Sequence, residues 1–118
     1  MHEFSIAEHL LGQVRANLPE GGRLISISLR AGAAQAVDPE ALDLAWQALT
    51  EDQPERGAAL HLESLPWQHA CASCDRRWTS RDALDACTEC GRPSRPRGDF
   101  ELTLMALEVE TEPVGATA

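Results

Sequence analysis

The pattern of apolar positions changes period once within the first thirty residues. Over the first eighteen positions, apolar side chains recur at spacings of three and four, as on an amphipathic α-helix: Phe4, Ala7, Leu11, Val14 and Leu18. Pro19 and the two glycines that follow it end this helical pattern. From Leu24 to Arg30, apolar and polar side chains alternate, which predicts a strand with one buried face. The chain therefore begins with a predicted helix and a predicted strand.

A second helix is predicted to begin after Asp38. Aspartate is a favoured N-cap residue, and Pro39 suits the first helical position because its missing N–H needs no partner there. Apolar side chains at helical spacing follow: Leu42, Ala45, Trp46 and Leu49. Alternating segments near 58–65 and 100–109 predict two further strands. The strand–helix–strand order favours parallel pairing of the first two strands.

These elements predict an α+β fold, in which two helices lie on a small mixed three-stranded sheet. The last predicted strand returns to that sheet after an inserted zinc-ribbon module, so we expect a domain from residues 1–65 plus 98–110. The inserted module is expected at residues 66–97. Residues 111–118 are expected to form a disordered tail, since they follow the last strand and contain proline and glycine.

Four cysteines define the inserted module. Cys71 and Cys74 form one C-x-x-C pair, and Cys87 and Cys90 form a second pair after twelve intervening residues. Two such pairs can supply the tetrahedral S₄ shell that Zn²⁺ prefers, and a closed four-cysteine shell is structural and not catalytic. Two disulfides or four free thiols are the alternatives. Zinc is favoured over both because the cysteines are paired and no secretion signal precedes them.

The distribution of charge also separates the cysteine-bearing segment from the rest of the chain. All ten basic residues are arginines, and the formal net charge is −9. Residues 71–97 hold six arginines and four acids, for a charge of +2, so the remainder carries −11. The acidic balance argues against a protein that binds long nucleic acid. No apolar run is long enough to cross a membrane, and a cytoplasmic location is expected.

The N-terminal residues can form a metal chelate. The amine of Met1, the amide nitrogen of His2 and its imidazole can close adjacent rings on Ni²⁺ or Cu²⁺, and Glu3 can add a fourth donor. Taken alone, the pattern is weak, because any protein can begin Met-His and a solvated terminus is the common case. The other histidines have ordinary explanations, although His69, beside Cys71, could contact the zinc shell.

Taken together, these motifs resemble the HypA/HybF family of nickel-incorporation proteins in [NiFe] hydrogenase maturation. The resemblance begins at Met1-His2-Glu3 and includes the strand ending at Gly32. It continues over about residues 1–110 through these segments: Asp38–Leu42, Gly57-Ala58, Leu60–Glu63, both C-x-x-C pairs, Glu101-Leu102 and Leu107–Val109. The start motif and the cysteine set are jointly specific, although neither would suffice alone.

The resemblance implies a nickel metallochaperone that is not an enzyme. Ni²⁺, a transient cargo, would bind the Met1 amine, the His2 imidazole and the backbone nitrogens of His2 and Glu3. Asp38 matches a position near the nickel end in some members, although N-capping is its better-supported role. Structural Zn²⁺ would bind the four cysteines: Cys71, Cys74, Cys87 and Cys90.

The resemblance also implies partners for the chain. These are a nickel-maturation GTPase, the large subunit of [NiFe] hydrogenase and, for some members, urease maturation proteins. A second hypothesis is a zinc-ribbon adaptor that binds a protein or a nucleic acid through the arginines of the module: Arg76, Arg77, Arg81, Arg92, Arg95 and Arg97. Within that hypothesis, nucleic acid is disfavoured because the attached body is acidic.

Overall fold

A computed structural model describes residues 2–111 and contains two α-helices, a short 3₁₀ helix at Ala33–Gln35 and six strands. In chain order the main elements are α1 (His2–Asn17), β1 (Arg23–Ala31), α2 (Pro39–Thr50), β2 (Ala59–Ser64), β3 (Trp67–Cys71), β4 (Arg77–Ser80), β5 (Ser94–Arg97) and β6 (Leu102–Glu110). They form two three-stranded sheets, in the orders β2-β1-β6 and β4-β3-β5.

The first sheet and both α-helices share one hydrophobic core, which confirms the predicted α+β class with two helices on a small sheet. Strand β1 buries Ile27 and Leu29 at alternate positions and also Leu24 near its start, while α2 contributes Leu42 and the fully buried Trp46. The helical stripe of α1 lies in the same core through Ala7, Leu10, Leu11 and Val14. Transfer of these side chains from water is the main source of stability in this part of the chain.

Local capping sets the ends of the helices. The Asp38 carboxylate accepts hydrogen bonds from the N–H groups of Glu40 at 3.0 Å and Ala41 at 3.4 Å, so Asp38 is the N-cap of α2. The side-chain amide of Asn17 donates to the carbonyl of Gln13 at 2.7 Å and satisfies an acceptor in the last turn of α1. The predicted N-capping role of Asp38 is confirmed.

The cysteine segment contains more regular structure than a single hairpin. Central strand β3 pairs antiparallel with β4 on one side and with β5 on the other. The sequence did not predict these strands, because their outward positions are mostly polar and β5 reads Ser-Arg-Pro-Arg. Since Pro96 has no N–H to donate, its strand can lie only at an edge of the sheet.

The last strand begins later than the alternation predicts. Phe100 lies before β6 and is 73% exposed. The carboxylate of Asp99 accepts the N–H of Glu101 at 3.1 Å, and the carbonyl of Phe100 accepts a hydrogen bond from the Gln35 side chain at 2.7 Å. These contacts fix residues 99–101 just before β6.

The chain divides into two compact units. One consists of Met1–Leu29, Val37–Glu63 and Thr103–Ala118, and the other of Arg30–Ala36 and Ser64–Leu102. The domain limits predicted from the sequence remain predictions, and the predicted tail at 111–118 lies outside the described residues, apart from Thr111.

Candidate metal centres

Four cysteine side chains from two separate turns converge in the second unit. All four sulfur atoms lie within 4.8 Å of one another. The Cys71 and Cys90 sulfurs are 3.3 Å apart, and those of Cys74 and Cys87 are 3.5 Å apart. All four thiols are free of disulfides, and the first cysteine of each pair is buried while the second is exposed. The structure therefore brings together the cysteines that the spacing pairs.

The two C-x-x-C turns share one backbone geometry. In each, the N–H of the first cysteine donates to the carbonyl five residues later: Cys71 to Arg76 at 2.8 Å and Cys87 to Arg92 at 2.9 Å. The residue after the second cysteine has a left-handed conformation in both turns, with φ of 59° at Asp75 and 70° at Gly91. The repeat C-x-x-C-x-Arg in the sequence is the signal for this duplicated turn.

Arginines from each turn cross to the other turn. Arg76 donates a hydrogen bond to the hydroxyl of Thr88, which lies in the second C-x-x-C pair. Arg92 donates from Nη1 to the hydroxyl of Ser73 in the first pair, at 3.0 Å. This reciprocal pairing ties the two turns together, and it places two positive charges beside a cluster that would carry net negative charge as thiolates.

The thiols of the cluster differ in acidity. Backbone N–H groups of Ser73 and Cys74, together with the Cys90 thiol, lower the pKa of Cys71 to about 6. The pKa of Cys87 is also lowered, chiefly by the backbone N–H of Cys90. The backbone N–H of Arg76 lowers the pKa of Cys74, but hydrogen bonding with the Cys71 and Cys87 thiols outweighs it and raises that pKa to about 12. Hydrogen bonding among the thiols thus favours ionisation of Cys71 and Cys87 and opposes ionisation of Cys74.

A tetrahedral divalent cation fits this donor set. A Zn–S bond of about 2.3 Å gives sulfur–sulfur edges of about 3.8 Å in a regular tetrahedron. Two sulfur–sulfur separations in the cluster, 3.3 Å and 3.5 Å, lie within about 0.5 Å of that value, and none exceeds 4.8 Å. A bound cation also compensates the repulsion among four thiolates, which is the reason that metal-bound cysteines are deprotonated.

His69 is held away from a ligand role by its own hydrogen bonds. Its imidazole is buried, with Nδ1 bonded to the hydroxyl of Ser94 and Nε2 bonded to the carbonyl of Asp82 at 2.9 Å. The ring also stacks on Trp78, with centroids 5.3 Å apart. Both ring nitrogens are therefore used in packing the module. His69 is not a member of the cysteine cluster, so the suggested contact with the zinc shell is not found.

The predicted nickel residues that the structure describes lie close together. Met1 is outside the described residues, and His2 begins α1 with its side chain half exposed. His2 Nδ1 lies 3.2 Å from the Glu3 carboxylate, which also accepts the backbone N–H of Asp38 at 3.3 Å. The hydrogen bond with His2, followed by that with Asp38, lowers the pKa of Glu3. A role for Asp38 as a nickel ligand stays a prediction.

Comparison with known proteins identifies the family. A sequence profile described as hydrogenase/urease nickel incorporation, metallochaperone, HypA matches residues 1–109. The chain belongs to the HypA family. This family is one of metallochaperones that act in nickel incorporation during hydrogenase maturation, which is not an enzymatic role.

HypA relatives match over most of their length. The hydrogenase maturation factor HypA of Geobacter metallireducens is 32% identical over 111 residues, which cover 93% of this chain and 100% of the relative. The HypA of Solidesulfovibrio magneticus is 36% identical over 97 residues, which cover 78% of this chain and 83% of the relative. The solution structure of the nickel metallochaperone HypA from Helicobacter pylori has a TM-score of 0.55 at 21% identity, with 95% and 100% of the two chains covered. That structure supports the HypA fold.

None of the helices in the described part of the chain has the length and apolar character needed to span a membrane.

Proposed function

We propose that this chain binds one Ni²⁺ at its N-terminus and transfers it during the maturation of [NiFe] hydrogenase. Zn²⁺ bound by the four cysteines stabilises the fold of the second unit. Membership in the HypA family is the observation that carries the proposal. The ligand sets rest on the chemistry of the residues that the structure describes.

The start of α1 suits a nickel chelate. The first four N–H groups of an α-helix have no acceptor within the helix, and His2 and Glu3 occupy the first two positions of α1. Ni²⁺ can therefore replace the protons of these two amide nitrogens, which pass to solvent, without breaking an α-helical hydrogen bond. Nδ1 of His2 closes a six-membered ring with its own amide nitrogen, and this is the atom now 3.2 Å from the Glu3 carboxylate. Nickel binding would replace that contact.

Exposure distinguishes the two centres. The His2 side chain is 50% exposed, whereas the four-cysteine cluster combines two exposed members with two buried ones, Cys71 at 4% and Cys87 at 1% exposure. A cargo ion must reach its acceptor, and an exposed site at a chain end allows a second protein to approach it. A partly buried four-thiolate shell retains its ion instead. We propose nickel as the exchangeable metal and zinc as the permanent one.

The proposed partners are proteins of nickel maturation. We propose that this chain binds a nickel-maturation GTPase and the large subunit of [NiFe] hydrogenase in the cytoplasm. Urease maturation proteins are proposed as further partners. The family description, which joins hydrogenase and urease nickel incorporation, supports this assignment.

Replacement of His2 tests the nickel site. The His2→Ala variant should lose nickel binding by at least tenfold, because the imidazole is the only side-chain nitrogen in the proposed chelate, and it should retain one zinc per chain. Isothermal titration calorimetry measures the nickel affinity, and elemental analysis measures zinc. His9→Ala is the matched control, since His9 is an exposed histidine on the same helix. Equal nickel affinity in His2→Ala and wild type would contradict the proposal.

A further inference from the structure

One face of the second sheet carries three arginines around a small central residue. Directly paired residues project to the same side of a sheet. The pairing of β3 with β4 and β5 therefore puts two rows on one side: Gln68, Thr79 and Arg97 in the first row, and Ala70, Arg77 and Arg95 in the second. We call this surface the basic face. The aromatic stack of His69 and Trp78 belongs to the opposite side.

A trough lies over the basic face. Neighbouring strands are about 4.8 Å apart, so Arg77 and Arg95 stand about 10 Å apart across the short side chain of Ala70. A cavity of about 600 Å³ is lined by all six residues of this face. The other residues that line this cavity are His69, Trp78 and Pro96. They are paired with one another between the two rows, and their side chains belong to the opposite side of the sheet. A narrow anionic chain can enter between the two arginines.

The guanidinium groups of the basic face make no ion pair or hydrogen bond within the described range 2–111, and only the backbones of these arginines are paired, in the sheet. The remaining arginines of the module are engaged within the second unit. Arg76 and Arg92 tie the two cysteine turns, and Arg81 donates to the carbonyl of Ser64 at 2.8 Å. The module therefore uses three arginines for its own structure and presents the other three on one face.

We propose that the basic face docks an extended acidic segment of a protein partner, with carboxylates at alternate positions. Alternate side chains of an extended strand lie about 7 Å apart on one side, and the two rows of the basic face have the same spacing. One carboxylate reaches Arg77 and Arg95, and the next reaches Arg97 beside Gln68 and Thr79. The planar guanidinium of arginine matches a carboxylate with two parallel hydrogen bonds.

Nucleic acid fits this surface less well than an acidic peptide. Single-stranded nucleic acid is bound by aromatic side chains that stack on bases beside a basic groove. Trp78, the aromatic residue on β4, is on the opposite side, where it stacks on His69 and donates its indole N–H to Asp85 at 2.9 Å. The net charge of −9 on the whole chain also repels a long polyanion. A short acidic segment interacts mainly with the arginines near it, because salt screens the more distant acidic residues.

This docking surface goes beyond the proposed nickel function, since it uses neither the N-terminus nor a nickel ion. Zinc-loaded full-length protein without nickel is therefore the material for the test. A fluorescein-labelled heptapeptide with glutamates at positions 2, 4 and 6 and valine between them is the probe, and fluorescence anisotropy measures its binding.

Substitution of two arginines should weaken the peptide. We expect Arg77→Gln/Arg95→Gln to reduce its affinity about tenfold, because two charged contacts are lost. The control is Arg23→Gln/Arg56→Gln, which changes the net charge equally at two exposed arginines of the first unit and should alter the affinity less than twofold. A rise in NaCl from about 50 to about 300 mM should also weaken binding. Zinc content and nickel affinity should be unchanged in both variants.

Several outcomes would overturn the proposal. Equal losses in the two double variants would indicate attraction by net charge alone. A peptide of the same composition with three consecutive glutamates should bind at least threefold more weakly, and equal binding would contradict the spacing. Failure to bind any of the peptides, or tighter binding of single-stranded DNA of similar charge, would exclude an acidic peptide site.

Discussion

The guanidinium of Arg15 binds the carboxylate of Glu55 through two hydrogen bonds. Nε donates to Oε2 at 3.1 Å and Nη2 donates to Oε1 at 3.0 Å, while Nη2 also reaches the side chain of Gln53 at 2.9 Å. Glu55 is only 4% exposed, and its hydrogen bonds with Arg15 lower the pKa of its carboxyl group. Bidentate pairing of this kind ties α1 to the segment that precedes β2.

Removal of the Glu55 charge should destabilise the protein at neutral pH. Because the folded-state pKa of Glu55 lies below its unfolded value of about 4.3, the stabilisation is present above pH 4.3 and is lost as pH falls through the folded-state pKa. We expect Glu55→Gln to lower the free energy of unfolding by about 1–2 kcal/mol at pH 7. The difference from wild type should shrink below about pH 4.

Urea unfolding, followed by the helical circular dichroism of α1 and α2 so that zinc release at low pH does not contribute, measures this difference at several pH values. Glu8→Gln is the control, since Glu8 is an exposed acid on α1 and its replacement should change stability by less than about 0.5 kcal/mol. A Glu55→Gln variant whose deficit stays constant from pH 7 to pH 3 would show that the ion pair is not the source of the stabilisation.

At the scale of the elements, the second sheet has almost no hydrophobic core. Between residues 64 and 102, the buried residues are His69, Cys71 and Cys87. Two of these three are members of the sulfur cluster, and the third is fixed by polar contacts with Ser94 and Asp82. Apolar burial therefore cannot fold this sheet, whereas structural zinc in small peptides contributes about 10–16 kcal/mol of binding free energy.

Zinc removal should unfold the second sheet and leave the first unit folded. Hydrogen–deuterium exchange with mass spectrometry should show protection lost across β3, β4 and β5 after chelation, while α1 and α2 keep theirs. Addition of one equivalent of Zn²⁺ should restore the protection. Metal-free protein that retains slow exchange in β3 would contradict a zinc-dependent fold, and loss in both units together would contradict independent stability of the first.

The sequence predicts the elements of the first unit well, because each carries a distinct signal. The stripe of α1 and the alternation of β1 reflect burial on one side, and Asp38 marks the start of α2 through its cap. The strands of the second sheet carry no comparable signal. Their side chains do not alternate between core and water, since a cluster of four cysteines takes the place of a hydrophobic core, and hydrophobic periodicity detects only apolar burial.

The candidate metal sites differ in how far the sequence could predict them. The C-x-x-C spacing predicts the convergence of four sulfurs, because each turn directs two sulfurs to one point and a tetrahedral Zn²⁺ needs four. The crossed arginines Arg76 and Arg92 could not be predicted, since their hydroxyl partners depend on how the two turns face each other. The contact of Glu3 with the backbone of Asp38 depends likewise on packing between segments 35 residues apart in the chain.

At the scale of the whole molecule, charge and metal chemistry are divided between two parts of the chain. Residues 71–97 carry +2 and hold the cysteines, and the remainder carries −11 and begins with the proposed nickel residues. In the proposed function, the permanent and the exchangeable metal therefore use different ligands, thiolates in one case and nitrogens in the other. Soft thiolate sets favour zinc, whereas Ni²⁺ accepts a planar set of nitrogen donors.

Nickel titration of protein with a native or an extended N-terminus tests the central claim most directly. Zinc-loaded, untagged protein that begins at Met1 is compared by isothermal titration calorimetry with the same protein preceded by a six-residue Gly-Ser tail. The longer tail is needed because a single added residue would create a new amine–X–X–His chelate.

The native protein should bind one nickel per chain, and the extended protein should bind it at least tenfold more weakly, with zinc unchanged in both. Equal nickel affinity in the two proteins would contradict a site built on the Met1 amine.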